Sequence, residues 1–364
     1  MALSASRALT SDALVERLFL STLGAFEMLS VYLGDRLGLY DALADGNPMT
    51  ATDLATRTAT DPRYIREWLE HQAVSGLVLV DDDDAGPEQR RYHLPPAHAA
   101  VLSDRDNIAF SRPLASQFVG ITRPLDALVD AYRSGAGVPF ELYGEDMRRG
   151  ISEGNRVLFI NQLATEWFPA MPDICARFDA DPPARVADVG CGSGWCSIAI
   201  AQAFPKVRVD GLDLDASSVA DARAHVEAEG LTERVHVELH DAADPALHGT
   251  YDFACAFECI HDMAHPVAAL TAMRHLVGPA GSVLIADERV AERFVTPGDE
   301  IERLMYGFSI LPCLPVGLVD TPSAATGTVM RPDTLRQYAT EAGFRDVTIL
   351  PVEHDLWRFY RLDA

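Results

Sequence analysis

Apolar positions follow one period in the first third of the chain and another in the last half. Between residues 12 and 33, Leu14, Leu18, Phe19, Leu23, Phe26, Met28 and Leu29 recur at mixed three- and four-residue spacings with few polar interruptions. That period belongs to a helix, and a helix apolar over so wide an arc needs partners on more than one face, which points to a subunit interface. Leu37-Gly38-Leu39-Tyr40-Asp41-Ala42-Leu43 and Met49-Thr50-Ala51-Thr52-Asp53-Leu54-Ala55 follow, with Thr50 placed to cap a short helix. A further helix is expected from Asp61-Pro62, with proline in its first position, through Ile65, Trp68 and Leu69. Residues 77–80 and 91–94 read as two strands joined by a tip at 81–89. Helix, helix and hairpin in that order make a winged helix.

From about 98 to 180 the pattern is helical and irregular, broken at Gly135-Ala136-Gly137 and Gly150, and Asp181-Pro182-Pro183 punctuates its end. Strand-like runs then appear at 185–189, 207–213, 234–240, 252–257 and 282–287, with helical stretches between them. Two more, near 345–350 and 355–361, follow a helix at 332–342. Such alternation predicts an α/β fold, a Rossmann-like seven-stranded sheet with helices on both faces, preceded by an α-helical winged-helix N-terminal domain. The expected divisions are 1–100 as a helical and winged-helix dimerisation domain, 101–180 as a helical linker contributing to the active site, and 181–364 as the sheet domain.

Composition narrows the functions. The chain has 364 residues, 48% hydrophobic and 23% charged, an ordinary globular balance. No apolar run reaches the roughly eighteen residues that a bilayer-crossing helix needs. The first eleven residues have neither a basic start nor an apolar block, so no signal peptide is read, and a cytoplasmic protein without a membrane partner is expected. A net charge of −24 repels a phosphate backbone, so no nucleic-acid partner is expected. The aspartates at 81–84 read as a solvated loop tip. Six cysteines without a Cys-x-x-Cys pair read as buried, reduced thiols.

The candidate chemistry begins where the first strand of the sheet ends, at Val186-Ala187-Asp188-Val189-Gly190-Cys191-Gly192-Ser193-Gly194-Trp195. Alternate glycines allow a tight turn and close approach of a ligand to the main chain, and the next helix aims its N-terminal amides at that ligand. A dinucleotide site would carry glycine where Trp195 stands, and Asp188 suits a cationic ligand better than a pyrophosphate. Gly211-Leu212-Asp213 ends the second strand with a carboxylate placed for ribose hydroxyls, and His240-Asp241-Ala242 ends the third with one placed for an adenine amino group.

This ordered set over residues 184–361 resembles the class I S-adenosylmethionine-dependent methyltransferase family. The resemblance implies S-adenosyl-L-methionine as cofactor, with Asp188 holding the methionine amino group and Gly190, Gly192 and Gly194 lining the methionine and ribose. It also implies Asp213 on the ribose, Asp241 on the adenine, and Leu214, Ala242 and Phe257 beside them. Residues 37–43 and 63–79 carry a looser resemblance to small-molecule O-methyltransferases, whose winged helix dimerises and walls the active site. It implies a homodimer acting on a small-molecule acceptor, with oxygen favoured and carbon or nitrogen open.

Ligands of doubly wound sheets lie beyond the carboxyl ends of the strands, where Phe257-Glu258-Cys259-Ile260-His261-Asp262-Met263 follows the fourth strand. In the winged-helix O-methyltransferases a His-Asp pair here supplies the base, which makes His261 the candidate; this chain has Met263 where the plant-like enzymes carry tryptophan. An imidazole, with a reference pKa of about 6.5, takes a proton near neutrality. The alternative is that His261 caps the next helix. His261 and His265 also form an H-x-x-x-H pair, but Asp262 is a short substitute for glutamate and Pro266 breaks the helix, so no metal is expected. Glu258 and Glu288 are further candidate bases. Met305, Tyr306 and Phe308, in the apolar insertion 301–315, are candidates for the substrate pocket. Two other readings compete. A winged-helix regulator would need a basic recognition helix, whereas 61–73 offers Arg63 and Arg66 against Asp61, Glu67 and Glu70. A fold relative that binds the cofactor without methylating stands as the second.

Overall fold

Local capping follows the sequence closely. Thr50 accepts from Asp53 N–H while Asp53 accepts from Thr50 N–H, a reciprocal box that starts the helix Ala51–Thr58. Asp61 caps Pro62–Val74, with Pro62 in its first turn. A computed structural model describes residues 9–245, 247 and 251–364; the reading of the extreme N-terminus therefore falls largely on residues outside those described. The chain divides into two compact units, one running up to Gly120 and resuming at Glu145–Val157, the other comprising Ile121–Gly144 and Leu158–Ala364.

In the first unit the helix Ser11–Arg36 buries only Val31 and Gly34 and leaves Leu14, Leu18, Phe19, Leu23 and Phe26 exposed. Strands β1 (Leu79–Val80) and β2 (Tyr92–His93) form the wing, shorter than the sequence pattern, while Tyr92 exchanges both backbone hydrogen bonds with Met49 on its other side. Leu39, Tyr40, Leu43, Leu54 and Leu69 form the core. Arg112, 1% exposed, pairs with Asp35 and Asp41 at 2.8 Å each, and Arg149 reaches Asp35 at 2.7 Å. Those ion pairs explain why 145–157 belongs to this unit. The expected linker at 101–180 is corrected accordingly: it is not one segment but is shared between both units.

The second unit holds β3 (Arg185–Val189), β4 (Arg208–Asp213), β5 (Val235–Leu239), β6 (Phe253–Phe257), β7 (Ser282–Glu288), β8 (Asp346–Ile349) and β9 (Trp357–Asp363). Their order in the sheet is β5-β4-β3-β6-β7-β9-β8, parallel except for β9, which runs antiparallel to both neighbours. The strand order reverses between β3 and β6, the switch point at which such sheets bind ligands. Every residue of β6 and β7 is buried, because helices cover both faces. One face carries Leu270, Met273, Ile285, Leu335 and Tyr360. On the other, Trp167 lies among the rings of Phe159, Phe257, Trp357 and Phe359 at centroid distances of 5.2–5.9 Å. Among the described residues no helix is long and apolar enough to cross a membrane.

Trp167 thus fixes β6 and β9 from behind. Trp167→Ala should destabilise the unit by roughly 3–5 kcal/mol through the cavity left, read as a lower urea midpoint with near-UV detection. A loss below about 1 kcal/mol, the size of an ordinary surface substitution, would contradict that role.

Candidate active site

The glycine loop is tied to the end of β4. Gly190 N–H and Cys191 N–H both donate to Leu212 O, at 2.8 and 3.1 Å, and Gly192 N–H donates to Asp213 Oδ2 at 2.8 Å. Gly190 has φ +69°, and a Cβ there would come within 2.6 Å of Cys259 Sγ, so only glycine fits. The helix Trp195–Ala203 begins directly after Gly194. Asp213 Oδ1 also accepts from Asp215 N–H at 2.8 Å, and burial raises its pKa against these backbone bonds. Leu214 is exposed beside it. Asp241, exposed at the end of β5, accepts from Ala243 N–H at 2.8 Å, and Ala242 is half-buried next to it. A turn that a Cβ would obstruct, a carboxylate at the tip of β4 and another past β5 fit the nucleoside and methionine parts of S-adenosylmethionine.

Past β6 the chain turns at Glu258, whose φ of +51° is rare for a residue with a side chain. The turn brings His261 back to the end of β7. His261 is 2% exposed, and its Nδ1 lies 2.9 Å from Asp287 Oδ1 and 3.0 Å from Glu288 Oε2. Facing two carboxylates, Nδ1 carries a proton, and Nε2 is the ring nitrogen not paired with them. Burial works against protonation of this imidazole, but the Glu288 and Asp287 carboxylates outweigh it and hold the pKa well above its ordinary value. Burial also lifts the Glu288 carboxyl well above the usual range, whereas the His261 charge overcomes burial at Asp287 and holds it below. An imidazolium, an ionised Asp287 and a protonated Glu288 leave the buried cluster neutral. Asp262, beside His261, is raised to about 6 by burial. From the insertion, the Cys313 thiol lies against His261; burial raises its pKa and the His261 contact lowers it.

Several expectations need correction. Asp188 is buried, with Ser197 Oγ donating to its Oδ2 at 2.6 Å and Cys255 Sγ 3.8 Å from its Oδ1; burial raises it to about 6. Its carboxylate is thus held from within the strand end by Ser197 and Cys255. The Phe257 side chain packs in the aromatic core, 5.1 Å from Phe159 between centroids. Glu258 accepts from Trp357 Nε1 at 2.6 Å. Helix capping by His261 is not observed: Pro266–Val277 starts after His265, which makes no side-chain cap. His265 is exposed while His261 is buried, so the two do not face a common ligand. Met305 is buried; Tyr306 and Phe308 are half-buried, and Tyr306 OH accepts from Arg331 Nη2 at 3.3 Å. The sequence pattern pointed to Glu288 but not to Asp287 or Cys313. Consecutive strand residues normally face opposite ways, and no spacing links Cys313 to His261.

The family model described as a methyltransferase domain matches residues 186–281, and that described as an Rv2258c-like winged HTH domain matches 25–104. Acetylserotonin O-methyltransferase of Mus musculus molossinus is 28% identical over 269 residues, covering 71% of this chain and 68% of that protein. PigF, solved with SAH, aligns with TM-score 0.72 at 20% identity over 98% of this chain and 100% of its own. Human N-acetylserotonin methyltransferase, solved with SAM, aligns with TM-score 0.67 at 18% identity over 100% and 99%. At those identities the structures establish the fold, and the matched domain and the sequence relative establish the chemistry. The chain is an S-adenosylmethionine-dependent methyltransferase whose catalytic domain follows a winged helix.

Proposed function

We propose that the enzyme methylates the oxygen of a small, phenol-like acceptor, with His261 as general base. The observation that carries this reading is the His261 imidazole held at Nδ1 by Asp287 and Glu288 beyond β6. The sequence relative, itself an O-methyltransferase, supports oxygen as the acceptor atom. Gly190, Gly192, Gly194, Asp213, Leu214, Asp241 and Ala242 would hold the cofactor, and Tyr306 and Phe308 would border the acceptor. The bound cofactor supplies an electrophilic methyl group on a positively charged sulfur. His261 Nε2 takes the acceptor's hydroxyl proton as the oxygen forms its bond to the methyl carbon and the carbon–sulfur bond breaks. Asp287 stabilises the imidazolium that forms, in the manner of a protease triad. Glu288, protonated, spares the cluster a second negative charge, and the fixed geometry contributes by orientation.

His261→Ala should lower turnover about 10²–10⁴-fold with cofactor affinity nearly unchanged. Only the neutral imidazole accepts a proton, so kcat/KM should fall as pH drops through the raised His261 pKa. The acid limb should therefore lie above the ordinary value of about 6.5. Asp287→Asn removes a charge that favours the imidazolium, so the limb should move to lower pH while the maximal rate falls. A limb that stays in place would show that another group titrates.

We also infer a cytoplasmic homodimer that ignores nucleic acid. The apolar arc of Ser11–Arg36 is a continuous exposed patch of the kind that marks an interface. The arginines of the helix Pro62–Val74 are already paired, Arg63 with Glu67 at 2.6 Å and Arg66 with Glu88 at 2.5 Å. All six cysteines are free, which suits a reducing compartment. Light scattering should return twice the chain mass of 39.6 kDa, and duplex DNA should run unshifted at low salt. A monomer, or a retarded duplex, would contradict the corresponding half of this reading.

A further inference from the structure

The helix Glu300–Phe308 does not end but widens into a π-helical turn, Ser309–Cys313, before Leu314–Gly317 continues it. Such turns insert a residue, re-aim the side chains that follow and concentrate at functional sites. This one has an unusual backbone balance. Leu314 N–H reaches back to Ser309 O, and Pro312 and Pro315 have no N–H to give. Leu311 O therefore lacks its α-helical donor, which would be residue 315. Ile310 O lacks both an α-helical donor, because Leu314 is committed to Ser309, and a π-helical one, because that too would be residue 315. A carbonyl left without a donor is costly where water is excluded, which applies to half-buried Leu311 more than to exposed Ile310.

Two side chains from outside the helix supply the missing donors. Tyr132 OH donates to Ile310 O at 3.0 Å, and Tyr143 OH donates to Leu311 O at 2.6 Å. Tyr132 lies in the helix Leu125–Ser134 and Tyr143 in the short helix Phe140–Tyr143. Between them, Val138 N–H donates to Pro315 O at 2.9 Å. Gly137 also passes so close to the backbone of Leu318 and Val319 that a Cβ would collide with it. The opposite flank of the insertion is bonded to the loop after β6: Gly327 N–H donates to His261 O and Ala324 N–H to Ala264 O, at 2.9 Å each. The π-turn is held between these two sets of bonds; the insertion packs on the His261 loop, where a Cβ on Gly317 would lie 3.0 Å from Asp262 O, and Cys313 at the end of the turn interacts with His261.

We propose that Tyr132 and Tyr143 are positioning residues for methyl transfer: by satisfying the carbonyls of Ile310 and Leu311 they hold the π-turn that sets Cys313 on His261. The inference rests on His261 as the base, and it makes residues 132–143 part of what tunes that base. The groups that face His261 are Asp287 and Glu288 from β7, Cys313 from the π-turn, and Asp262 and Cys259 from its own loop. Loss of the Tyr132 hydroxyl leaves these groups chemically unchanged and acts through where Cys313 stands; Tyr143 is in addition an electrostatic neighbour of Cys313.

The test uses the full-length protein labelled at histidine carbons, with the His261 resonance assigned from its substitution and followed by NMR as pH is varied. Cys313→Ala should lower the His261 midpoint, because the thiol contact favours the charged ring. Tyr143→Phe should move the midpoint in the same direction, and the double variant should show no shift beyond that of Cys313→Ala alone. In turnover, Tyr143→Phe should reduce kcat about tenfold, as expected of a displaced reacting group, with affinity for S-adenosylhomocysteine unchanged. Tyr132→Phe, at an exposed residue, gives the same readout should Tyr143→Phe fail to fold. A His261 midpoint that the tyrosine variants leave alone while Cys313→Ala moves it would overturn the proposal, as would additive shifts or a midpoint that Cys313→Ala leaves unchanged. Shifted midpoints with unaltered turnover would instead remove His261 as the base and leave the link from tyrosine to Cys313 standing.

Discussion

Helices cover both faces of the seven-stranded sheet, and the buried carboxylates of its strands, Asp188, Asp287 and Glu288, stand at their carboxyl ends. Along β6 and β7 the apolar side chains are divided between two buried layers. A charge in mid-strand would carry a desolvation cost with nothing to offset it. Asp188, Asp213, His261, Asp287 and Glu288 all stand at or just past strand ends. The switch point between β3 and β6 concentrates them further, since the chain leaves those two strands in opposite directions. The glycine loop and the His261 turn thus share the edge at which β3 and β6 diverge.

Within that edge, charge is arranged so that little of it is net. Two adjacent carboxyls and an imidazole, all buried, would be untenable if each kept its ordinary ionisation. The imidazole is driven toward its charged form, Asp287 remains ionised and Glu288 holds a proton. The same arrangement strengthens His261 as a base: an imidazole with a raised pKa gains more by accepting a proton, at the cost of a smaller fraction in the receptive form at neutral pH.

Most of the fold was legible in the sequence. The strands of the sheet lie within about two residues of the pattern read from apolar runs; central strands such as β6 and β7, buried on both faces, are marked by composition alone. Thr50, Asp61 and the glycine loop stand where local chemistry put them. What escaped notice depended on direction or on distant partners. Phe257 was placed in the right strand, yet only the pleat decides which layer it enters. Asp287 was passed over for Glu288, although both reach His261 where β7 ends. The division of 101–180 between two units depends on Asp35 meeting Arg112 and Arg149, a pairing no period encodes. Cys313 owes its place to a π-turn whose cause lies in two prolines and two tyrosines far apart in the chain.

The central claim is that this edge of the sheet moves a methyl group from S-adenosylmethionine to a hydroxyl oxygen of a small molecule. Its most direct measurement is incubation of the protein with methyl-labelled cofactor and a panel of small phenols, followed by extraction and location of the label. The account predicts label on the oxygen of at least one phenol, with an equivalent amount of S-adenosylhomocysteine released. Cofactor that binds but stays intact across the panel, or label found on carbon or nitrogen, would contradict it.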